Sequence, residues 1–181
     1  MRLDADIAEV LVSREEIERR THELGAQITQ DFVELNPVLV CVLKGALMFL
    51  GDLMRNMDMH FEVDFMAISS YGGTRTESTG VVRILMDLAT NIQGRHVLII
   101  EDIVDTGRTL TYMLQNLQTR QPASMRVCTL LDKPTRRQLY VPLTYVGFEI
   151  PDKFVIGYGL DYGEHYRNLP YVGVLRPEKY T

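Results

Sequence analysis

The run PVLVCVL (37–43) limits what this chain can fold into more than any other feature of its sequence. All of its positions are apolar and most are valine or leucine, so the segment has no polar face to present to water. Such a run predicts a strand buried on both faces, which is typical of parallel sheets. It ends at Lys44-Gly45, and ALMFLGDLMRNM (46–57) follows with the pattern of a helix. A buried strand followed by a helix is the repeating unit of α/β folds.

The rest of the chain continues this alternation of apolar strands and amphipathic helices. SREEIERRTHELGAQITQDF (13–32) predicts a helix, because Ser13 and Glu16 have capping-box spacing and Ile17, Leu24 and Ile28 share one face. TLTYMLQNLQT predicts another helix. Strands are predicted for FEVDFMAI, VVRILM, HVLII, SMRVCTLL, LTYVGFEI and FVIGYGL. The order predicts an α/β domain with a mainly parallel central sheet, and such sheets bind ligands beyond the carboxyl ends of their strands.

Composition and charge narrow the classes of protein to which the chain can belong. At 181 residues, with 46% hydrophobic and 24% charged residues, it suits one globular domain. A net charge of -5 argues against general binding of nucleic acid or of anionic membranes. The longest apolar segment, 37–50, is interrupted by Lys44 and is too short to span a bilayer. Cys41 and Cys128 each lie in an apolar run, which favours reduced thiols and a cytoplasmic setting over a disulfide framework.

The segment VLIIEDIVDTGRTL (97–110) carries the strongest chemical signal. If 97–101 is a central strand, Glu101 and Asp102 lie at its carboxyl end, where a ligand binds. Asp105 opens a small-residue turn whose amides and hydroxyls, with the N-terminus of the next helix, suit a phosphate. Adjacent carboxylates repel a phosphate unless they contact sugar hydroxyls or a divalent cation, so the pattern predicts a ribose phosphate. A solvated acidic loop before a helix capped by Thr106 explains the same residues, and local patterns leave both interpretations open.

The same segment closely resembles the phosphoribosyl-pyrophosphate signature of the type I phosphoribosyltransferases. The resemblance covers about Leu39 to Leu175 and has the order and spacing of the hypoxanthine–guanine branch, whose substrates are 6-oxopurines. It rests on four further segments: VLKGALMFLGDL, SSYGGT, LLDKPTRR and VGFEIPDKFVIGYGLDYGEHYRNLPYVGVL.

The resemblance implies an architecture as well as a site. It implies the α/β type I phosphoribosyltransferase fold, with a mainly parallel central sheet flanked by helices, in a single domain that spans 1–181. A small hood region is expected from the N-terminal and C-terminal segments. A mobile loop at about 69–80, with Ser70 and Tyr71, is expected to close over the active site as a lid, which would keep water from the activated sugar carbon.

The resemblance also assigns the chemistry-bearing residues to two substrates. Those implied to bind phosphoribosyl pyrophosphate are Lys44, Gly45, Glu101, Asp102, Asp105, Thr106, Gly107, Arg108, Thr109 and Arg167. Those implied to bind the purine are Lys133, Phe154, Val155 and Asp161. Mg²⁺ is the implied cofactor, with Glu101, Asp102 and Asp161 as its carboxylate ligands, and Asp105 is the implied general base.

Several of these residues also have ordinary structural interpretations. Taken alone, Lys133 is typical of a surface lysine, Lys44 of a tight turn, and Phe154 of a core aromatic. Ala46 stands where many relatives have glycine, which narrows the backbone options if that position requires a positive φ. His165 has no partner at metal-ligand spacing and is predicted to be an ordinary exposed histidine.

The implied reaction is transfer of a 5-phosphoribosyl group from phosphoribosyl pyrophosphate to N9 of hypoxanthine or guanine, as in purine salvage. Its products are IMP or GMP and pyrophosphate, and relatives assemble as homodimers or homotetramers. A non-catalytic phosphoribosyl-pyrophosphate sensor on the same fold is one alternative, although the negative charge and the complete base-reading block around Lys133, Phe154 and Asp161 count against it. A phosphoribosyltransferase for adenine, orotate or uracil is the other. Lys133 opposes adenine, because an ammonium donates to a 6-oxo acceptor whereas adenine presents a 6-amino donor.

Overall fold

The main sheet has six strands in the order β4-β3-β2-β5-β6-β7. The structure, a computed structural model, describes residues 3–71 and 81–180. All neighbouring strands pair in parallel except β3 and β4, which are antiparallel. The prediction of an α/β fold with a mainly parallel sheet is confirmed. The strands are β2 (Val38–Leu43), β3 (Glu62–Tyr71), β4 (Val81–Met86), β5 (His96–Val104), β6 (Ser124–Asp132) and β7 (Tyr145–Glu149).

Strand β2 lies inside the sheet and is buried on both of its faces, as its apolar run predicts. Leu39 and Cys41 pack into one hydrophobic core, whereas Val38, Val40 and Val42 pack into the other. The first core also contains residues of helices α1 (Arg14–Phe32) and α2 (Leu47–Arg55), and the second contains residues of α3 (Arg108–Gln118). Helices therefore cover both sides of the sheet, which leaves its carboxyl edge as the place where polar side chains gather.

Helix α1 begins at the predicted capping box. The Ser13 hydroxyl accepts a hydrogen bond from the Glu16 amide at 3.2 Å, and the Glu16 carboxylate accepts one from the Ser13 amide at 2.8 Å. Both bonds satisfy amides that the first helical turn leaves without partners. Ile17, Leu24 and Ile28 are buried, so the predicted apolar face is the one that packs against the core.

A second, three-stranded sheet joins the two ends of the chain. Its order is β1-β9-β8, all antiparallel, with β1 (Ile7–Val12), β8 (Val155–Ile156) and β9 (Val172–Leu175). The predicted strand FVIGYGL is too long, because the chain leaves the sheet after Ile156. The next three residues have positive φ angles, 98° at Gly157, 48° at Tyr158 and 102° at Gly159, which no extended strand allows.

Two further predictions concern the surface of the chain. Within residues 3–71 and 81–180, no helix is long and apolar enough to cross a membrane. The predicted lid falls mostly outside the described residues: Ser70 and Tyr71 end β3, and the segment 72–80 is not described.

Candidate active site

Two adjacent acids lie inside strand β5 rather than beyond it. The strand continues to Val104, which pairs with Asp132 of β6, so the predicted end at residue 101 is three residues too early. Glu101 is only 6% exposed, and burial raises the pKa of its carboxyl well above the ordinary value. Burial also raises the pKa of Asp102 to about 6. A ligand with hydroxyl donors or positive charge would favour the ionised form of this pair.

The turn after β5 leads directly into helix α3. Gly107, not Thr106, is the N-cap, and its φ of 83° is a left-handed conformation that a side chain rarely adopts. The Thr106 hydroxyl accepts from the Arg108 amide at a long 3.4 Å. A Cβ at Gly107 would lie 2.6 Å from the carbonyl oxygen of Leu139. The interpretation of Thr106 as the helix cap is therefore wrong, because glycine is needed where segment 137–141 packs against the turn.

Arg137 stabilises this turn through hydrogen bonds to its backbone, a role that the sequence did not reveal. Its guanidinium donates to the carbonyl oxygens of Asp105 at 3.0 Å and Val104 at 3.3 Å. It also pairs with the carboxylate of Asp132, at the end of β6. Its neighbour Arg136 lies closer to the cleft, with Nε 3.2 Å from Oδ1 of Asp105. The only signal in the sequence was the pair of arginines in LLDKPTRR.

The loop after β2 lies beside the acids of β5. Gly45 packs so closely on Asp102 that a Cβ at this glycine would overlap the Asp102 carboxylate. On its other side, Gly45 supports the backbone of Gly159, where a Cβ would overlap the Gly45 carbonyl oxygen. Ala46 has a φ of -74°, so this position does not require glycine. The peptide bond between Leu43 and Lys44 is cis.

Arg167 binds within the turn that follows β8. Its Nη1 donates to the Gly159 carbonyl at 2.7 Å, and its Nη2 lies 2.9 Å from Oδ1 of Asp161. Lys44 approaches from the other side and donates to the Glu164 carboxylate at 2.9 Å. The structure thus brings Lys44, Gly45, Asp102, Asp161 and Arg167 to one place, although they come from three separate segments of the chain.

Lys133 lies in a polar cleft of about 280 Å³ at the carboxyl edge of the sheet. It is 6% exposed, so the interpretation as a surface lysine is wrong. Its Nζ donates to the Lys153 carbonyl at 2.6 Å, and burial lowers the pKa of its ammonium. The residues lining the cleft are Ile103, Asp105, Lys133, Arg136, Asp152, Lys153, Phe154, Val155, Leu160 and Asp161.

Phe154 and Val155 form one wall of this cleft. The Phe154 ring stacks on Tyr180 with 5.0 Å between ring centroids, and Tyr162 meets it at 88° with 5.7 Å between centroids. Tyr180 therefore covers one face of the ring, so a base cannot stack there. Val155 is 7% exposed and pairs with Val174 of β9, which fixes its backbone at the edge of the small sheet.

Comparison with known proteins identifies the family. A family model for the phosphoribosyl transferase domain matches residues 9–163. The hypoxanthine-guanine phosphoribosyltransferase of Streptococcus thermophilus is 51% identical over 179 residues, which are 99% of each chain. The Bacillus subtilis protein of the same name is 50% identical over 175 residues, 97% of each chain. A crystal structure of a hypoxanthine phosphoribosyltransferase from Staphylococcus aureus has a TM-score of 0.94 and 50% identity, covering 99% of this chain and 97% of that one.

The chain belongs to the hypoxanthine–guanine branch of the phosphoribosyltransferase family. The prediction of a type I phosphoribosyltransferase fold is confirmed. So is the prediction of a purine-salvage transferase, and the alternative of a non-catalytic sensor is not supported.

The metal prediction is not tested by the geometry of this phosphoribosyltransferase. In the part of the chain that the structure describes, no three His, Cys, Asp or Glu side chains gather as ligands for a metal ion. Asp161 uses Oδ1 for Arg167 and Oδ2 for the Glu164 amide, 2.8 Å away. His165 is exposed, as predicted. The ligand set of Glu101, Asp102 and Asp161 stays a prediction.

Proposed function

We propose that this phosphoribosyltransferase transfers the 5-phosphoribosyl group of phosphoribosyl pyrophosphate to N9 of hypoxanthine or guanine, yielding IMP or GMP and pyrophosphate. The observation that carries the proposal is the cleft shared by Asp105 and the buried Lys133. The carboxylate of Asp105 suits proton transfer, and the ammonium of Lys133 suits donation to an oxygen acceptor. Both residues lie at the carboxyl edge of the sheet. Asp161 links this cleft to Arg167, because it lines the cleft and pairs with Arg167, and Glu164 in turn joins Arg167 to Lys44.

Phosphoribosyl pyrophosphate binds along the edge formed by β2 and β5. The 5-phosphate binds the turn from Asp105 to Thr109, where the first turn of α3 has amides without helical partners. Glu101 and Asp102 accept hydrogen bonds from the ribose diol, which stabilises their ionised forms. Lys44, Gly45 and Arg167 bind the pyrophosphate, and the planar guanidinium of Arg167 suits a bidentate contact.

Asp105 is the general base. It takes the N7 proton of the purine as N9 attacks C1′, while positive charge develops on the ribose ring. The carboxylates of β5 favour that charge, and the cations of the β2 loop favour the negative charge on the departing pyrophosphate. Nε of Arg136 lies 3.2 Å from Oδ1 of Asp105 and forms an ion pair with it. The geometry of this pair is not that of a hydrogen bond, so Oδ1 has no hydrogen-bond donor among the described residues.

Mg²⁺ fits the acids next to Arg167. Asp102 and Asp161 lie close enough for the charge of Asp161 to raise the pKa of Asp102 further, after the larger effect of burial. Carboxylate oxygens are the ligands that magnesium prefers. When bound, the ion would neutralise pyrophosphate charge. Asp102 and Asp161 would hold it.

Replacing Asp161 with asparagine tests this assignment. The amide keeps the shape of the side chain but removes the charge that attracts a divalent cation. We expect the magnesium concentration for half-maximal activity to rise about tenfold or more, while KM for hypoxanthine changes less than threefold. Initial rates across a magnesium titration measure both quantities. An unchanged magnesium dependence would remove Asp161 from the metal site.

Replacing Lys133 with methionine tests purine recognition. Methionine fills the space of the lysine stem but donates no hydrogen bond to the 6-oxo group. We expect kcat/KM for hypoxanthine and guanine to fall by about 10²-fold or more, with KM for phosphoribosyl pyrophosphate nearly unchanged. Pyrophosphate release with hypoxanthine, guanine, xanthine and adenine measures the reaction and its specificity. If the wild-type enzyme released no pyrophosphate with any 6-oxopurine, the proposed function itself would be overturned.

The small sheet of β1, β8 and β9 is the hood, because it joins both ends of the chain beside the cleft. The lid at about 69–80, a single domain spanning 1–181, and a homodimer or homotetramer are carried over from the family resemblance. Cys41 and Cys128 are free thiols buried in the core, which supports a reducing, cytoplasmic setting.

A further inference from the structure

Glu164 places a carboxylate between the two cations assigned to pyrophosphate. Its Oε2 accepts a hydrogen bond from Lys44 Nζ at 2.9 Å and lies 3.4 Å from Nη2 of Arg167. One oxygen atom of the chain therefore contacts both cations, although Arg167 also pairs with Asp161 at 2.9 Å. A diphosphate oxygen could be bound by the same two cations in the position that the Glu164 oxygen occupies.

The turn that carries Glu164 is built to hold it there. Glu164 has a φ of 68° and Tyr166 a φ of 76°, both in the left-handed region that non-glycine residues rarely adopt. The Glu164 amide donates to Asp161 at 2.8 Å, and the backbones of Tyr162 and His165 exchange two hydrogen bonds. Such conformations persist only where the surroundings enforce them, and they cluster at binding sites.

The contacts of Glu164 are also easy to exchange for a stronger anion. Its side chain is 64% exposed and that of Lys44 is 66% exposed, and exposed ion pairs contribute little to stability. Nε of Arg167 is buried and has no hydrogen-bond partner among the described residues. A ligand with several charged oxygens can contact Lys44 and Arg167 through separate atoms, whereas Glu164 contacts both through Oε2 alone.

We propose that Glu164 is an internal anion that occupies the pyrophosphate position and is displaced by phosphoribosyl pyrophosphate, so that it sets both affinity and anion selectivity. The inference rests on the proposed function of Lys44 and Arg167. A weakly bound, singly charged anion does not displace Glu164, because it would exchange one charge for another and gain no additional contacts. A diphosphate displaces it because it adds charge and acceptor oxygens.

The test is Glu164→Gln, whose amide cannot neutralise the two cations. We expect KM for phosphoribosyl pyrophosphate and the inhibition constant of pyrophosphate to fall about twofold to fivefold, with KM for hypoxanthine unchanged. Inorganic phosphate should inhibit this variant more strongly than the wild type. Glu34→Gln is the matched control, because it removes the same charge from an exposed residue after α1 and should change none of these values.

The sign of the effect separates Glu164 from an ordinary structural residue. A residue that only supports the loop would weaken pyrophosphate binding when replaced, so unchanged or higher constants would overturn the inference. Glu164→Asp withdraws the carboxylate by one methylene and should shift the constants in the same direction, which covers a folding failure of the glutamine variant. Lys44→Gln tests the proposed function separately. If this variant leaves the pyrophosphate constants unchanged, the assignment of the pyrophosphate site is wrong. If its pyrophosphate constants rise while those of the Glu164 variants stay at wild-type values, only the inference about Glu164 is overturned.

Discussion

Replacing Asp105 with asparagine is expected to lower kcat by about 10²–10⁴-fold, the range for loss of a positioned general base. The amide is nearly isosteric with the carboxylate but does not accept the purine proton. Arg137 contacts the backbone carbonyl of Asp105 and not its side chain, so the turn should keep its conformation. Initial rates with saturating substrates measure kcat, and KM for both substrates should change little.

Asp152 offers a matched control for this experiment. Its Oδ1 lies 3.5 Å from Nη1 of Arg136, the arginine that also pairs with Asp105, and its side chain lines the same cleft. Asp152→Asn therefore removes one negative charge beside the same guanidinium, 3.9 Å from Nζ of Lys133, without removing the base. We expect a loss in kcat below tenfold, since this pair is half exposed. A comparable loss in the two variants, or a kcat near wild type in Asp105→Asn, would contradict the assignment of Asp105.

Replacing Gly159 with alanine is expected to damage both the fold and the pyrophosphate loop. The added Cβ would overlap the Gly45 carbonyl oxygen, and the φ of 102° is strained for any residue with a Cβ. Strain and overpacking together should lower the free energy of unfolding by about 2–4 kcal/mol. Because the Gly159 carbonyl also accepts from Arg167, KM for phosphoribosyl pyrophosphate should rise about tenfold or more.

Gly51 provides the control for this substitution. It lies inside helix α2, and a Cβ at this position would meet nothing within 4 Å. Alanine has a higher helix propensity than glycine, so Gly51→Ala should stabilise the protein by up to about 1 kcal/mol with normal kinetics. Denaturant unfolding and steady-state assays measure both variants. Wild-type stability in Gly159→Ala would show that the Gly45–Gly159 contact is not tightly packed.

Several elements of the fold were predictable because their pattern is local. The apolar run of β2 predicted burial on both faces, and the spacing of Ser13 and Glu16 predicted the start of α1. On physical grounds alone, the acidic segment with its turn suited a ribose phosphate but was also explained by a solvated acidic loop, and the phosphate site stays a prediction. The proposed assignment of the cleft to the purine base came from the family resemblance, since Lys133 and Phe154 alone are ordinary residues.

Long-range packing decided what the local patterns missed. The pairing of Val104 with Asp132 extends β5 past its two acids, and the contact of Gly107 with segment 137–141 moves the helix cap from Thr106 to glycine. Arg137 and Glu164 acquire their partners only when distant segments meet, so no periodicity reveals them.

The sequence by itself predicted the three helices, the six strands of the main sheet and the family, and it named candidate chemistry-bearing residues, because burial and turn chemistry depend on neighbouring positions. Only the tertiary structure decided which of those residues meet. The close approach of Gly45 to Gly159 and the bridge from Lys44 through Glu164 to Arg167 depend on the way the β2 loop packs against the turn after β8. Contacts between segments far apart in the chain follow from packing and not from spacing.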